Sequence, residues 1–167
     1  DADDICVVYG HGAEAVRSFY AGESLRWALQ AEQLGTGHAL QQAMPGTPDE
    51  NRVLILFGVV PLLMPSTLSA LLSETPLYDM AVLTVDMNDP TGYGRVIREQ
   101  GSVSAIIEEK DASANQKAIP EINTGVMLCP GERLKGWLAN LSNDNAQGEY
   151  YLTDVIAMAV SDKVTVH

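Results

Sequence analysis

The chain reads as an α/β domain with a mixed, mainly parallel sheet and helices on both faces. Three observations predict it. Short apolar runs alternate with stretches whose apolar residues fall at helical spacing. One run, Val53 to Phe57, is unbroken, as in a strand covered on both faces. No repeat, low-complexity tract or linker divides the 167 residues, so 1–167 is read as one domain.

In chain order, Ile5 to Gly10 is a strand delivered into a Gly-His-Gly loop, and Val16, Phe19 and Tyr20 mark a helix. Leu25 to Ala31 is a second strand, and Ala39, Leu40 and Ala43 lie on a helix that starts near Thr36 after Gly35. The run at Val53 to Phe57 stops at Gly58. Pro65 and Ser66 open a helix with Leu68, Leu71 and Leu72 on one face, followed by a buried strand from Met80 to Val85. The texture then changes. Gly94 to Glu99 and Val103 to Glu109, around Gln100-Gly101, predict an antiparallel hairpin. Ile122 to Leu128 is a further strand. Leu134, Trp137, Leu138 and Leu141 mark one helix, Leu152, Val155, Ile156 and Ala159 another, and Val164 to Val166 begins a strand.

Twenty-two acidic residues against ten basic give a formal charge of -12, whose field repels phosphate-rich polymers. Nucleic acid and anionic membrane are therefore not expected as partners. A small nucleotide is compatible, because a nest of backbone N–H groups or a divalent cation overcomes an unfavourable global charge locally. The two cysteines, Cys6 and Cys129, sit among apolar neighbours and read as buried free thiols. With no disulfide framework, basic-then-apolar leader or apolar run near twenty residues, a reducing cytoplasm is expected.

Several loops carry more glycine and polar residues than turning the chain requires. In Gln30-Ala-Glu-Gln-Leu-Gly-Thr-Gly-His-Ala39, Gly35 and Gly37 either let a ligand approach the backbone or serve the fold alone, and His38 reads as a solvated or capping histidine. Phe57-Gly-Val-Val-Pro-Leu62 opens at the carboxyl edge of the sheet, where ligands bind in such folds, yet Val59 and Val60 offer neither a metal ligand nor a base. Asp89-Pro-Thr-Gly-Tyr-Gly-Arg95 is a tight loop. By itself Glu108 reads as a solvated strand-end charge and Asn123 as turn chemistry.

Together these segments say more. Tyr9-Gly-His-Gly12, the run from Gln30 to Ala39, Asp89 to Arg95, Glu121-Ile-Asn-Thr-Gly125 and Asn145-Ala-Gln-Gly-Glu-Tyr-Tyr-Leu-Thr-Asp154 occur in one order and spacing. In that order the chain resembles the N-terminal uridylyltransferase domain of bacterial bifunctional N-acetylglucosamine-1-phosphate uridylyltransferase/glucosamine-1-phosphate acetyltransferase, over essentially its whole length. The resemblance implies a Rossmann-like nucleotide-diphospho-sugar transferase fold without its first strand and phosphate loop. It further implies that Gln30, Gly35 and Thr36 face the uracil of a uridine nucleotide. Gly94, Glu108 and Asn123 would hold an N-acetylglucosamine moiety, and Gly58 would lie between the two groups.

Members of that family join UTP to N-acetylglucosamine-1-phosphate with release of pyrophosphate, and use magnesium. The resemblance places the glycine-rich phosphate loop before Asp1 and a metal-binding asparagine after His167, and sets Val59 where the family has its metal-binding aspartate. The only basic residues on the loops that match sugar contacts are Arg95 and Lys110. The expectation is therefore a chain that has lost catalysis and bound metal, so no cofactor, while keeping weak recognition of UDP-N-acetylglucosamine or a uridine nucleotide. The alternative is a non-catalytic module that binds UDP-sugar or oligomerises. The family's first strand would lie between the strands at Ile5 and Val53, and its loss would leave open sheet edges that favour a homo-oligomer.

Overall fold

A computed structural model describes residues 4–10, 12–60 and 62–167, so His11 of the Gly-His-Gly loop and Pro61 of the Phe57–Leu62 loop lie outside the described residues. The elements run β1 (Cys6–Tyr9), α1 (Glu14–Phe19), β2 (Arg26–Leu29), α2 (Thr36–Ala43), β3 (Arg52–Ile55), α3 (Pro65–Glu74), β4 (Ala81–Asp86), β5 (Arg95–Glu99), β6 (Ser102–Ile107), α4 (Ala114–Lys117), β7 (Glu121–Pro130), α5 (Gly131–Ala139) and α6 (Asp154–Ser161). This is the expected alternation. The addition is α4, whose Ser113-x-x-Gln116 capping box is legible in the sequence: Gln116 N donates to Ser113 Oγ, and Ser113 N to Gln116 Oε1.

Strand β7 organises the larger sheet because its ten residues are long enough to pair with three other strands, and its second half is fully covered. Val126, Met127, Leu128 and Cys129 have no exposed surface. Antiparallel to β7 run β3 (Arg52 opposite Pro130), β4 (Ala81 opposite Leu128) and β5 (Arg95 opposite Ile122), so these three strands share one direction. The β5–β6 hairpin turns at Gln100 (φ 52°) and Gly101 (φ 88°), both left-handed as a two-residue type I′ connection requires. A second, parallel sheet pairs β1 with β2, Cys6 opposite Arg26. The expected last strand is a single parallel bridge, Met80 to Val166.

Leu134, Trp137 and Leu138 of α5 lie on the α5 face that meets β7, and Val155, Ile156 and Ala159 of α6 are buried where that helix meets β6 and α5, each set at helical spacing. Burying a side chain such as Leu134 or Ile156 contributes about 2 kcal/mol. Trp137 keeps its indole N–H bonded to Asp162 at 2.9 Å.

The N-terminal half is less covered than the sequence suggests. Ile55 of β3 is buried, but Val53 and Leu54 are only partly so, and Leu56 is 48% exposed. The reason is that α3 buries none of its residues, and neither does α1, so one face of the strands lacks a lid. Cys129 is buried as expected, whereas Cys6 is half-buried on β1; neither forms a disulfide. Among the described residues, β1 pairs only with β2 and β3 only with β7, which leaves one edge open on each. No helix among them is long and apolar enough to cross a membrane.

Candidate functional site

Gln30 leaves the end of β2 almost fully buried. Its backbone N–H donates to Tyr9 O at 2.8 Å, and its amide nitrogen lies 3.0 Å from Gly35 O and 3.1 Å from His38 Nδ1. Gly35 caps α2 at φ 107°, ψ 173°, a region restricted to glycine. A Cβ there would fall 2.7 Å from Tyr150 O, and one on Gly37 would fall 2.9 Å from the same atom. The glycines therefore admit the chain's own backbone. Gly37 N donates to Tyr150 O and Tyr150 N to Leu34 O, both at 2.8 Å, and Leu152 N donates to Thr36 Oγ1 at 3.1 Å. Of the two roles the sequence leaves open for these glycines, packing accounts for their geometry.

The second group forms where β5, β6 and β7 meet. Gly94 is buried under the carboxylate of Glu108; a Cβ would meet Glu108 Oε2 at 3.3 Å and Ile106 Cγ2 at 2.9 Å. Asn123 N donates to Gly94 O at 2.9 Å, while Asn123 Oδ1 accepts from Gly125 N at 2.9 Å. Gly125 (φ 83°) lies against the Phe57 ring, 2.5 Å from where a Cβ would be, so the start of the Phe57–Leu62 loop packs beneath the Asn123 turn. Gly58 beside it is exposed, and Val59 is 84% exposed.

Glu108 is not the solvated charge its position suggests. Burial pushes its carboxyl above its ordinary value, the Thr153 hydroxyl bonded to Oε1 at 2.9 Å works the other way, and Asp154, Asp111 and Glu149 add to the rise. Asp154 is raised by burial and by Asp111. Tyr151 donates to Asp111 Oδ2 at 3.1 Å, and its hydroxyl is pushed up to about 12, chiefly by burial.

Sequence reasoning missed Thr153, Asp111 and the role of Tyr150, although the motif from Asn145 to Asp154 was the signal. That segment is the seam of the site. Tyr150 and Leu152 hold the Gln30–Thr36 loop, and Thr153 holds Glu108. Residues 150 and 153 stand at most about 10 Å apart along the chain.

Arg95 is not available to a ligand, contrary to its loop position. It is 1% exposed, pairs with Glu109 at 2.7 Å, and donates to Tyr93 O and Lys117 O, anchoring the 89–94 loop to α4. Two hollows on the α5–α6 side, around Trp137 and around Tyr78, touch none of the sequence-predicted residues.

The elements and their order define the fold of the nucleotide-diphospho-sugar transferases, Rossmann-like with a mixed sheet. A UDP-glucose pyrophosphorylase complexed with UDP-glucose superposes with a TM-score of 0.69 at 12% identity, over 98% of this chain and 72% of that one. A protein described as a glucose-1-phosphate thymidylyltransferase from Bacillus anthracis, in complex with sucrose, gives 0.69 at 18% identity, over 98% of this chain and 67% of its own. No family model matches the chain.

Proposed function

We propose that this chain binds a uridine diphosphate sugar of the UDP-N-acetylglucosamine kind without converting it. The observation that carries this reading is the seam: one segment, Tyr150 to Thr153, holds the Gln30–Thr36 loop at one end and Glu108 at the other, within the span of a single nucleotide sugar. Gln30 and Thr36 take the base, on a loop that Gly35 lets pack against Tyr150. Gly94, Glu108 and Asn123 take the sugar, whose hydroxyls suit a carboxylate and an amide. The Gly58 turn lies beside Asn123. Fold neighbours named for UDP-glucose and for a thymidylyl transfer support a nucleotide-sugar ligand.

The absence of turnover rests on Val59. An exposed valine after Gly58 can neither coordinate a metal nor neutralise a developing phosphate charge, and charge neutralisation is the main load in such a transfer. Arg95 is committed to Glu109 and supplies no phosphate contact. Binding therefore needs no added magnesium.

Calorimetry with UDP-N-acetylglucosamine tests binding. The expected result is weak, magnesium-independent binding, lowered at least about tenfold by Glu108→Ala, which removes a charge-assisted hydrogen bond. No heat with the unmodified chain sinks the reading. Pyrophosphate release from UTP and N-acetylglucosamine-1-phosphate above a no-protein control would overturn its non-catalytic part.

A second reading, self-association through β1 and β3, is favoured by their open edges and by exposed apolar residues nearby such as Ile5, Phe19, Leu56 and Leu62.

A further inference from the structure

His38 has no role in the proposed binding, yet its imidazole touches the most enclosed polar side chain of the base-facing loop. Gln30 Nε2 is 3.0 Å from Gly35 O. A backbone carbonyl only accepts, so the group facing it must be the NH2 end of the amide, and the orientation of Gln30 follows without ambiguity. The same nitrogen lies 3.1 Å from His38 Nδ1. An NH2 group carries two hydrogens; one goes to Gly35 O and the other to Nδ1. That requires the His38 proton on Nε2; Gln42 Nε2, 3.2 Å from both His38 Nε2 and His38 O, then has only the carbonyl as acceptor, whereas a proton on Nδ1 would serve Gln42 instead, so the tautomer decides which of the two amides His38 holds.

With both donors consumed, Gln30 has one free function, Oε1. No donor among the described residues reaches it, and it is not one of the enclosed atoms left without a partner. We propose that His38 is a positioning residue: it locks the Gln30 amide so that Oε1 alone faces the ligand, and the site thereby selects a pyrimidine that presents a ring N–H over one that presents a ring lone pair. Uracil and thymine carry N3–H. Cytosine carries an N3 lone pair, which sets acceptor against acceptor and leaves Oε1 unpaired. The ligand half of this inference rests on the nucleotide-sugar reading; the orientation half does not.

Two measurements test it. Long-range proton–nitrogen correlation of the unliganded chain reports the His38 tautomer, and the expected result is Nε2–H; an Nδ1–H tautomer overturns the proposal whatever binds. Calorimetry then compares UDP, 3-methyl-UDP and CDP. UDP is expected to bind at least about tenfold more tightly than either analogue, the loss of one hydrogen bond with its partner left unpaired. His38→Phe, which removes the acceptor, should bring the three within about threefold of one another, and His38→Asn, whose Oδ1 stands near the place of Nδ1, should restore the preference. Equal binding of UDP and CDP to the unmodified chain, or a preference untouched by His38→Phe, overturns the proposal. If no nucleotide binds, the nucleotide-sugar reading falls, and the tautomer alone decides whether His38 takes the second hydrogen of the Gln30 amide.

Discussion

Thr153 donates its hydroxyl to Glu108 Oε1 at 2.9 Å and thereby ties the start of α6 to the end of the hairpin. The bond opposes the burial that raises the Glu108 carboxyl. Thr153→Val should therefore raise the Glu108 titration point further, and Thr153→Ser should leave it near its original place. Carbon-13 NMR of the glutamate carboxyls reads both. An unmoved titration in Thr153→Val would show that the bond carries no weight.

The same shift has a consequence for stability. Because the folded carboxyl of Glu108 titrates above its unfolded value, the fold gains relative stability on protonation. That gain is complete below the unfolded-chain value and is lost as pH rises through the folded one. Glu108→Gln should consequently stabilise the chain at pH 7 and make little difference near pH 4. Urea midpoints at the two pH values check this; the same difference at both would contradict it.

Gly35 and Gly46 both have positive φ, at 107° and 83°, but only Gly35 has backbone pressed against it. Gly35→Ala combines a glycine-only conformation with overlap on Tyr150 and should cost about 3 kcal/mol or more. Gly46→Ala meets nothing within 4 Å and should cost about 1 kcal/mol. Equal losses in denaturant titration would mean that the seam yields easily.

Arg95 is buried with its guanidinium shared among Glu109, Tyr93 O and Lys117 O. Arg95→Met should destabilise by about 2 kcal/mol, from the two hydrogen bonds to the Tyr93 and Lys117 carbonyls at about 1 kcal/mol each. Hydrogen exchange should quicken first in residues 89–94 and α4, which the side chain joins. A uniform change across the chain would argue against a local anchor.

The thiols should separate kinetically. Burial pushes Cys129 up to about 12, while Cys6 is half-buried and raised less completely, its burial offset in part by Arg26. A thiol reagent at neutral pH should label Cys6 first, with Cys129 reacting only at the rate of global unfolding. Simultaneous labelling would mean that β1 does not open independently.

Open edges on β1 and β3 predict a mass above the monomer in light scattering, falling as Ile5→Lys and Leu56→Lys place charge beside them. A monomer at all concentrations would rule out association through these edges.

Local pattern alone determined the order of elements. Alternating apolar runs, helical spacing at Leu134 to Leu141 and Leu152 to Ala159, and Gln100-Gly101 as a hairpin turn are all written within a few residues of where they act, so they were legible. So was the string of motifs that gathers Gln30, Glu108 and Asn123. Tertiary structure decided what those residues do, because burial and partner choice depend on chain segments far apart in sequence. Tyr150 turns Gly35 and Gly37 from a ligand opening into a packing contact. Thr153 and the partial loss of water turn Glu108 from a surface charge into a half-buried acceptor, and Glu109 turns Arg95 inward. His38, ordinary in the sequence, acquires its role from a carbonyl at Gly35 that only folding brings to the same amide.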